Sequence, residues 1–98
     1  MTAQLRIYTI NRGMMDSWLK VFNDHIRPLH DRLGIRVVSS YVNADRTEFI
    51  WVRRFNNTEE IADKEAAYFA SPERTALGDI PTSHIAKMEV RVMEEVAV

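Results

Sequence analysis

The chain has 98 residues, ten arginines against three lysines, and a formal net charge of −1. That length is one domain, and without a basic surplus polyanion binding is disfavoured. No cysteine is present, which excludes disulfides and thiolate metal sites. Gln4 to Ile10 is expected as the first strand, with Leu5, Ile7 and Thr9 alternating against Arg6, Tyr8 and Ile10. Asn11-Arg12-Gly13 ends it. Met14 to Leu33 has helical periodicity. At about 100° per residue, Trp18, Phe22, Ile26, Leu29 and Leu33 fall on one stripe, with Asp16, Lys20, Asn23, Asp24 and Arg27 opposite. Pro28 inside this pattern is expected to kink the helix or start a second segment, because it lacks an N–H and its ring meets the preceding turn. Gly34 is the stop.

Ile35 to Asn43 and Thr47 to Phe55 form a hairpin across Asn43-Ala44-Asp45-Arg46. Thr58 is the expected N-cap of a helix from Glu59 to about Ala70. Ser71-Pro72 ends that helix. Pro72 to Thr82 is expected as a loop, with at most a short helical turn at Glu73–Ala76. Ser83 to Glu94 alternates as the last strand, Ala86, Met88, Val90 and Val92 against Ile85, Lys87, Glu89 and Arg91.

The order β-α-β-β-α-β is the split βαβ arrangement of a ferredoxin-like α+β domain over residues 1–98. Two helices should cover one face of a four-stranded antiparallel sheet. The other face should then alternate with polar residues. Instead, Phe49, Trp51 and Phe55 lie on one side of the hairpin's second strand and Ile50 and Val52 on the other. A strand apolar on both sides needs cover on both. A second copy of the chain supplies it through one self-complementary patch, so a homodimer is expected. The alternative is that Pro72–Thr82 folds across the open face.

Leu5-Arg6-Ile7-Tyr8-Thr9-Ile10, Gly13, His25-Ile26-Arg27-Pro28-Leu29-His30, Gly34-Ile35 and Glu48-Phe49-Ile50-Trp51-Val52-Arg53-Arg54-Phe55 resemble the NIPSNAP family, as does Ala67-Tyr68-Phe69-Ala70-Ser71-Pro72-Glu73. The resemblance covers nearly the whole chain. It implies a dimeric α/β barrel, two ferredoxin-like units with their sheets face to face. Arg74 stands where a tryptophan is usual in the family, so an aromatic wall is missing there. The wider superfamily holds cofactor-free monooxygenases, lactone isomerases and haem enzymes. For this chain it implies cofactor-independent oxygenase or isomerase chemistry on a small apolar or aromatic molecule, or else a non-catalytic dimeric interaction module.

Two residues are candidates for acid–base work. His25 lies beside the apolar stripe of the first helix and is expected to face the sheet, as general base or as a hydrogen-bonded core histidine. Glu65 falls near the middle of the apolar arc made by Ile61, Ala62, Tyr68 and Phe69. There it is either a pocket carboxylate or the partner of Arg53 or Arg54. Tyr8, Tyr41, Trp51 and Phe69 are candidate walls of a ligand pocket, or plain core. Arg53 shares a strand face with Phe49 and Trp51, as an anion clamp or an interface ion pair.

His25, His30 and His84 match no metal-ligand spacing, so neither a metal nor a resident cofactor is expected. The third strand lacks the small residues of an RNA-recognition signature, so no nucleic-acid partner is expected. No charged leader with a long apolar run begins the sequence and no stretch approaches a membrane span, so no membrane partner and a cytoplasmic location are expected.

Overall fold

A computed structural model describes every residue from Met1 to Val98. Four strands, β1 (Thr2–Ile10), β2 (Arg36–Val42), β3 (Glu48–Phe55) and β4 (Ile85–Glu94), form one antiparallel sheet in the order β2-β3-β1-β4. This is the ferredoxin-like arrangement. Helices α1 (Met15–Val21) and α2 (Arg27–Arg32) belong to one rod, joined by a π turn at Phe22–Ile26. α3 (Thr58–Ala70) follows the hairpin.

The register sorts the sheet faces. Tyr8 opposes Phe49, Arg6 opposes Trp51 and Gln4 opposes Arg53, and these residues face the helices. Leu5, Ile7, Ile50 and Val52 point the other way and are half-buried, with exposed Tyr41 beside Ile50.

Pro28 lies in the first turn of a second segment, α2, as expected, and four other expectations change. The Arg27 N–H reaches back five residues to the Phe22 carbonyl, and this wider turn accommodates the proline ring that a regular turn would exclude. The N-cap of α3 is Asn57, whose side chain accepts the Glu60 N–H at 2.9 Å, and not Thr58, which is already helical. Pro72–Thr82 is not a loop. It holds α4 (Pro72–Leu77), capped by Ser71, and α5 (Ile80–Ser83). Nor does it cross the open sheet face, since Arg74, Pro81 and Thr82 border the space on the helix side. Finally, the β1–β4 register shifts between Thr9 and Ile10, so Ile85 pairs with Ile10 while Lys87 pairs with Thr9. This bulge moves Ile85 to the helix side of the sheet, away from the face of Lys87, Glu89 and Arg91.

The core has two parts. Tyr8, Ile10, Met15, Trp18, Phe22, Ile26, Phe49 and Trp51 form one cluster. Leu29, Ile35, Phe55, Ile61 and Tyr68 form the other. On β3, Arg53 lies between Trp51 of the first and Phe55 of the second. On the rod, His30 follows Ile26 of the first and Leu29 of the second. The buried polar residues Gln4, His30 and Arg53 therefore make a seam where the two clusters meet.

The cap gives a small, separable prediction. Asn57→Ala is expected to lower stability by about 1 kcal/mol, read from the chemical-denaturation midpoint. No change would mean that the Glu60 N–H finds water at no cost.

Candidate functional site

His30 and Arg53 of the seam border a cavity of about 110 Å³ between helices and sheet, with Gln4 bonded beneath them. Aromatic walls come from Tyr8 and Trp51 on the sheet, Trp18 on α1, and Tyr68 and Phe69 on α3. The rings pack edge to face: Tyr8 and Trp51 centroids are 6.1 Å apart at 75°, and His30 and Trp51 are 5.1 Å apart at 73°.

The polar floor is one connected network. Arg53, 3% exposed, donates Nε–H to Gln4 Oε1 at 3.0 Å, Nη1–H to His30 Nε2 at 3.2 Å, and Nη2–H to both Gln4 Oε1 and Glu65 Oε1. Arg6 donates Nε–H to the Tyr8 hydroxyl at 2.7 Å and Nη1–H to Gln4 Oε1 at 3.1 Å, and approaches Glu65 Oε1 at 3.5 Å. Its Nη2 is set against the Met88 thioether at 3.2 Å. Both guanidiniums also lie by the Trp51 ring, with Cζ to centroid distances of 5.9 Å for Arg6 and 5.4 Å for Arg53.

This network fixes the state of His30. Its Nδ1 lies 2.7 Å from the Ile26 carbonyl, an acceptor only, so Nδ1 carries the proton. Nε2 then presents its lone pair to Arg53. Burial, first, and the charges of Arg53 and Arg6 lower the His30 pKa to about 4, against the bond to Ile26, which raises it. The imidazole is therefore neutral at physiological pH. Burial and the charge of Arg6 also press Arg53 below its ordinary value, and Glu65 opposes them. Burial raises the Tyr68 pKa, which keeps its phenol protonated.

Of the residues singled out in the sequence, Glu65, Tyr8, Trp51, Arg53 and Phe69 meet in this cavity. Glu65 combines both of its readings, since it borders the cavity and pairs with Arg53. His25 and Tyr41 do not join them. His25 is exposed on the rod, and Tyr41, 59% exposed, stands on the opposite sheet face. The π turn explains the histidine. Twelve residues from Trp18 to His30 put them about 120° apart on an unbroken α-helix. The extra residue held in the wide turn reduces the offset to about 20°, and the same shift turns His25 outward. His30, Arg6, Tyr68 and Arg74 are among the cavity residues the sequence reading left out. Arg6 had a signal, because strand alternation already placed it on the Tyr8 face.

No three His, Asp or Glu side chains gather with the spacing to hold a metal ion. What the cavity can do is grip a flat molecule between aromatic faces and present guanidinium and phenol donors to it.

The profile of the NIPSNAP family matches residues 3–98. The chain belongs to that family. Its fold is similar to that of a NIPSNAP domain protein from Burkholderia xenovorans, at 16% identity over 99% of this chain and 96% of the other, with a TM-score of 0.88. A NIPSNAP family protein from Agrobacterium tumefaciens gives 15% identity, coverage of 97% and 92%, and a TM-score of 0.89. An antibiotic biosynthesis monooxygenase is a more distant likeness, at 13% identity over 99% of this chain and 100% of the other, with a TM-score of 0.72. At these identities the likeness speaks for the fold alone. No curated protein matches the chain. In this NIPSNAP chain Arg74 puts a guanidinium at the cavity, 5.6 Å from the Phe69 ring centroid. No helix is long and apolar enough to cross a membrane.

Proposed function

We propose that this NIPSNAP domain works in the cytoplasm as a homodimer and binds a small apolar or aromatic molecule in the cavity between its helices and sheet. The observation that carries the reading is the cavity itself, with five aromatic walls over a floor of buried, mutually bonded polar groups. A core built for stability alone would not keep His30 and Arg53 out of water around an open space. A monooxygenase shares the fold, and cofactor-independent oxygenase or isomerase chemistry is the reaction class to test first. Leu5, Ile7, Ile50 and Val52 on the opposite face support the dimer, because an apolar sheet face is stabilised by a matching one.

One observation favours the second reading, a non-catalytic interaction module. His30 Nε2 and Glu65 already have protein partners, as they would in a purely structural network.

Native mass spectrometry of freshly purified protein tests both parts. The expected result is twice the chain mass with a small adduct. A clean dimer whose tryptophan fluorescence responds to no aromatic compound would favour the interaction module, since both tryptophans border the cavity. A monomer would remove the dimer.

A further inference from the structure

The cavity's charge does not balance. Arg6, Arg53 and Arg74 border it against the single carboxylate of Glu65, and His30 is neutral, which leaves a surplus of two positive charges. This occurs in a chain whose net charge is −1, so the cavity is positive against the chain as a whole. Donors also crowd onto two oxygens. Glu65 Oε1 takes donors from Gln4, Arg6 and Arg53 together, and Gln4 Oε1 takes them from Arg6 and from two nitrogens of Arg53. Three or more donors crowd each of these oxygens.

Arg6 shows where the missing acceptor belongs. Its Nη2 has only a thioether sulfur, a weak acceptor for a charged donor. That sulfur belongs to Met88, 44% exposed on β4, on a flexible side chain. The Tyr8 hydroxyl accepts from Arg6 Nε and so has its own proton free to donate. Two donors of one strand face thus lack an acceptor beside the Trp51 ring.

Building on the small-molecule reading above, we infer that the ligand is an anion: a flat, ring-sized molecule bearing one carboxylate, with the ring between Trp51, Tyr68 and Phe69 and the carboxylate on Arg6 in place of the Met88 sulfur. A guanidinium fork matches a carboxylate in two parallel bonds and holds it more tightly than a neutral acceptor. The cavity of about 110 Å³ is smaller than the ~150 Å³ apolar cavity that holds benzene, so a single ring with its carboxylate fits once the flexible Met88 side chain moves aside.

The test uses benzoate and its neutral isostere benzamide as probes, titrated into the intact protein and read by tryptophan fluorescence and calorimetry. The wild-type protein is expected to bind benzoate at least ~10-fold more tightly than benzamide, which corresponds to ~1.4 kcal/mol. Arg6→Gln is expected to bring the ratio close to one, with an unchanged melting temperature showing that the variant is folded. Arg6→Lys keeps the charge without the fork and should fall between. Equal affinity of the wild-type protein for the two probes would overturn the anion and leave the aromatic pocket standing. Binding of neither at millimolar concentration would overturn the pocket itself. If Arg6→Gln melts early, Met88→Leu gives the second arm: without the sulfur, benzoate should bind as well as before or more tightly, and a loss would overturn the exchange.

Discussion

Replacing Trp51 with alanine should cost about 3–5 kcal/mol of stability, the range for removing a large buried aromatic side chain. The ring is 3% exposed. It packs on Phe22 at 5.1 Å, His30 at 5.1 Å and Tyr8 at 6.1 Å between centroids. It also lies against both guanidiniums of the seam, so its loss leaves Arg53 facing a void as well as emptying the core. A single domain has only about 5–15 kcal/mol in hand, so the loss should be plain in the urea midpoint. A midpoint within error of wild type would mean that neighbouring side chains close the gap. Trp18→Ala makes an informative companion. Trp18 is equally buried and part of the same cluster, but it does not contact the seam's guanidiniums within cation–π reach. If Trp51 costs more than Trp18, the polar seam depends on its aromatic lid.

The second large effect is on acid stability. The native His30 pKa is about 4, below its ordinary 6.5. Between those values the unfolded chain takes up a proton that the native chain refuses, so stability falls as pH falls. The loss begins near pH 6.5 and is complete below about pH 4. A separation of this size amounts to about 3 kcal/mol. His30 is 1% exposed, so solvent screening removes little of it. Denaturation free energies measured from pH 7 to 4 should therefore slope more steeply in the wild type than in His30→Asn, by up to ~1.4 kcal/mol per pH unit. Parallel slopes would show that His30 gains its proton as easily folded as unfolded, and the neutral tautomer bonded to Arg53 would be wrong.

The fold was legible because two periodicities run unbroken through most of the chain. Alternation on β1 and β3 placed Tyr8, Trp51, Arg53 and Phe55 on one face, and no neighbouring element alters a strand's period of two. Two local irregularities hid the rest. Counting at 100° per residue chose His25 over His30, because a π turn adds a residue that sequence counting cannot see. Counting by twos put Ile85 with Lys87, because a bulge at the start of β4 inserts a residue there. Tyr41 failed for a different reason. It was chosen for its residue type, and its place in the pairing, opposite Ile50, puts it on the other sheet face. Arg74 was read as a lost aromatic, whereas its position at the cavity adds charge.

The π turn at Phe22–Ile26 has a consequence for lineage. The rod contains one residue more than its two faces require. A relative with a straight α-helix in this place would show the same buried side chains with a separation of eleven positions, not twelve, from its counterpart of Trp18 to that of His30. Its histidine would then seem misplaced by one in any ungapped comparison, falling opposite Leu29. One inserted residue, stored as a bulge beside Pro28, separates how the two chains look on paper from how they fold.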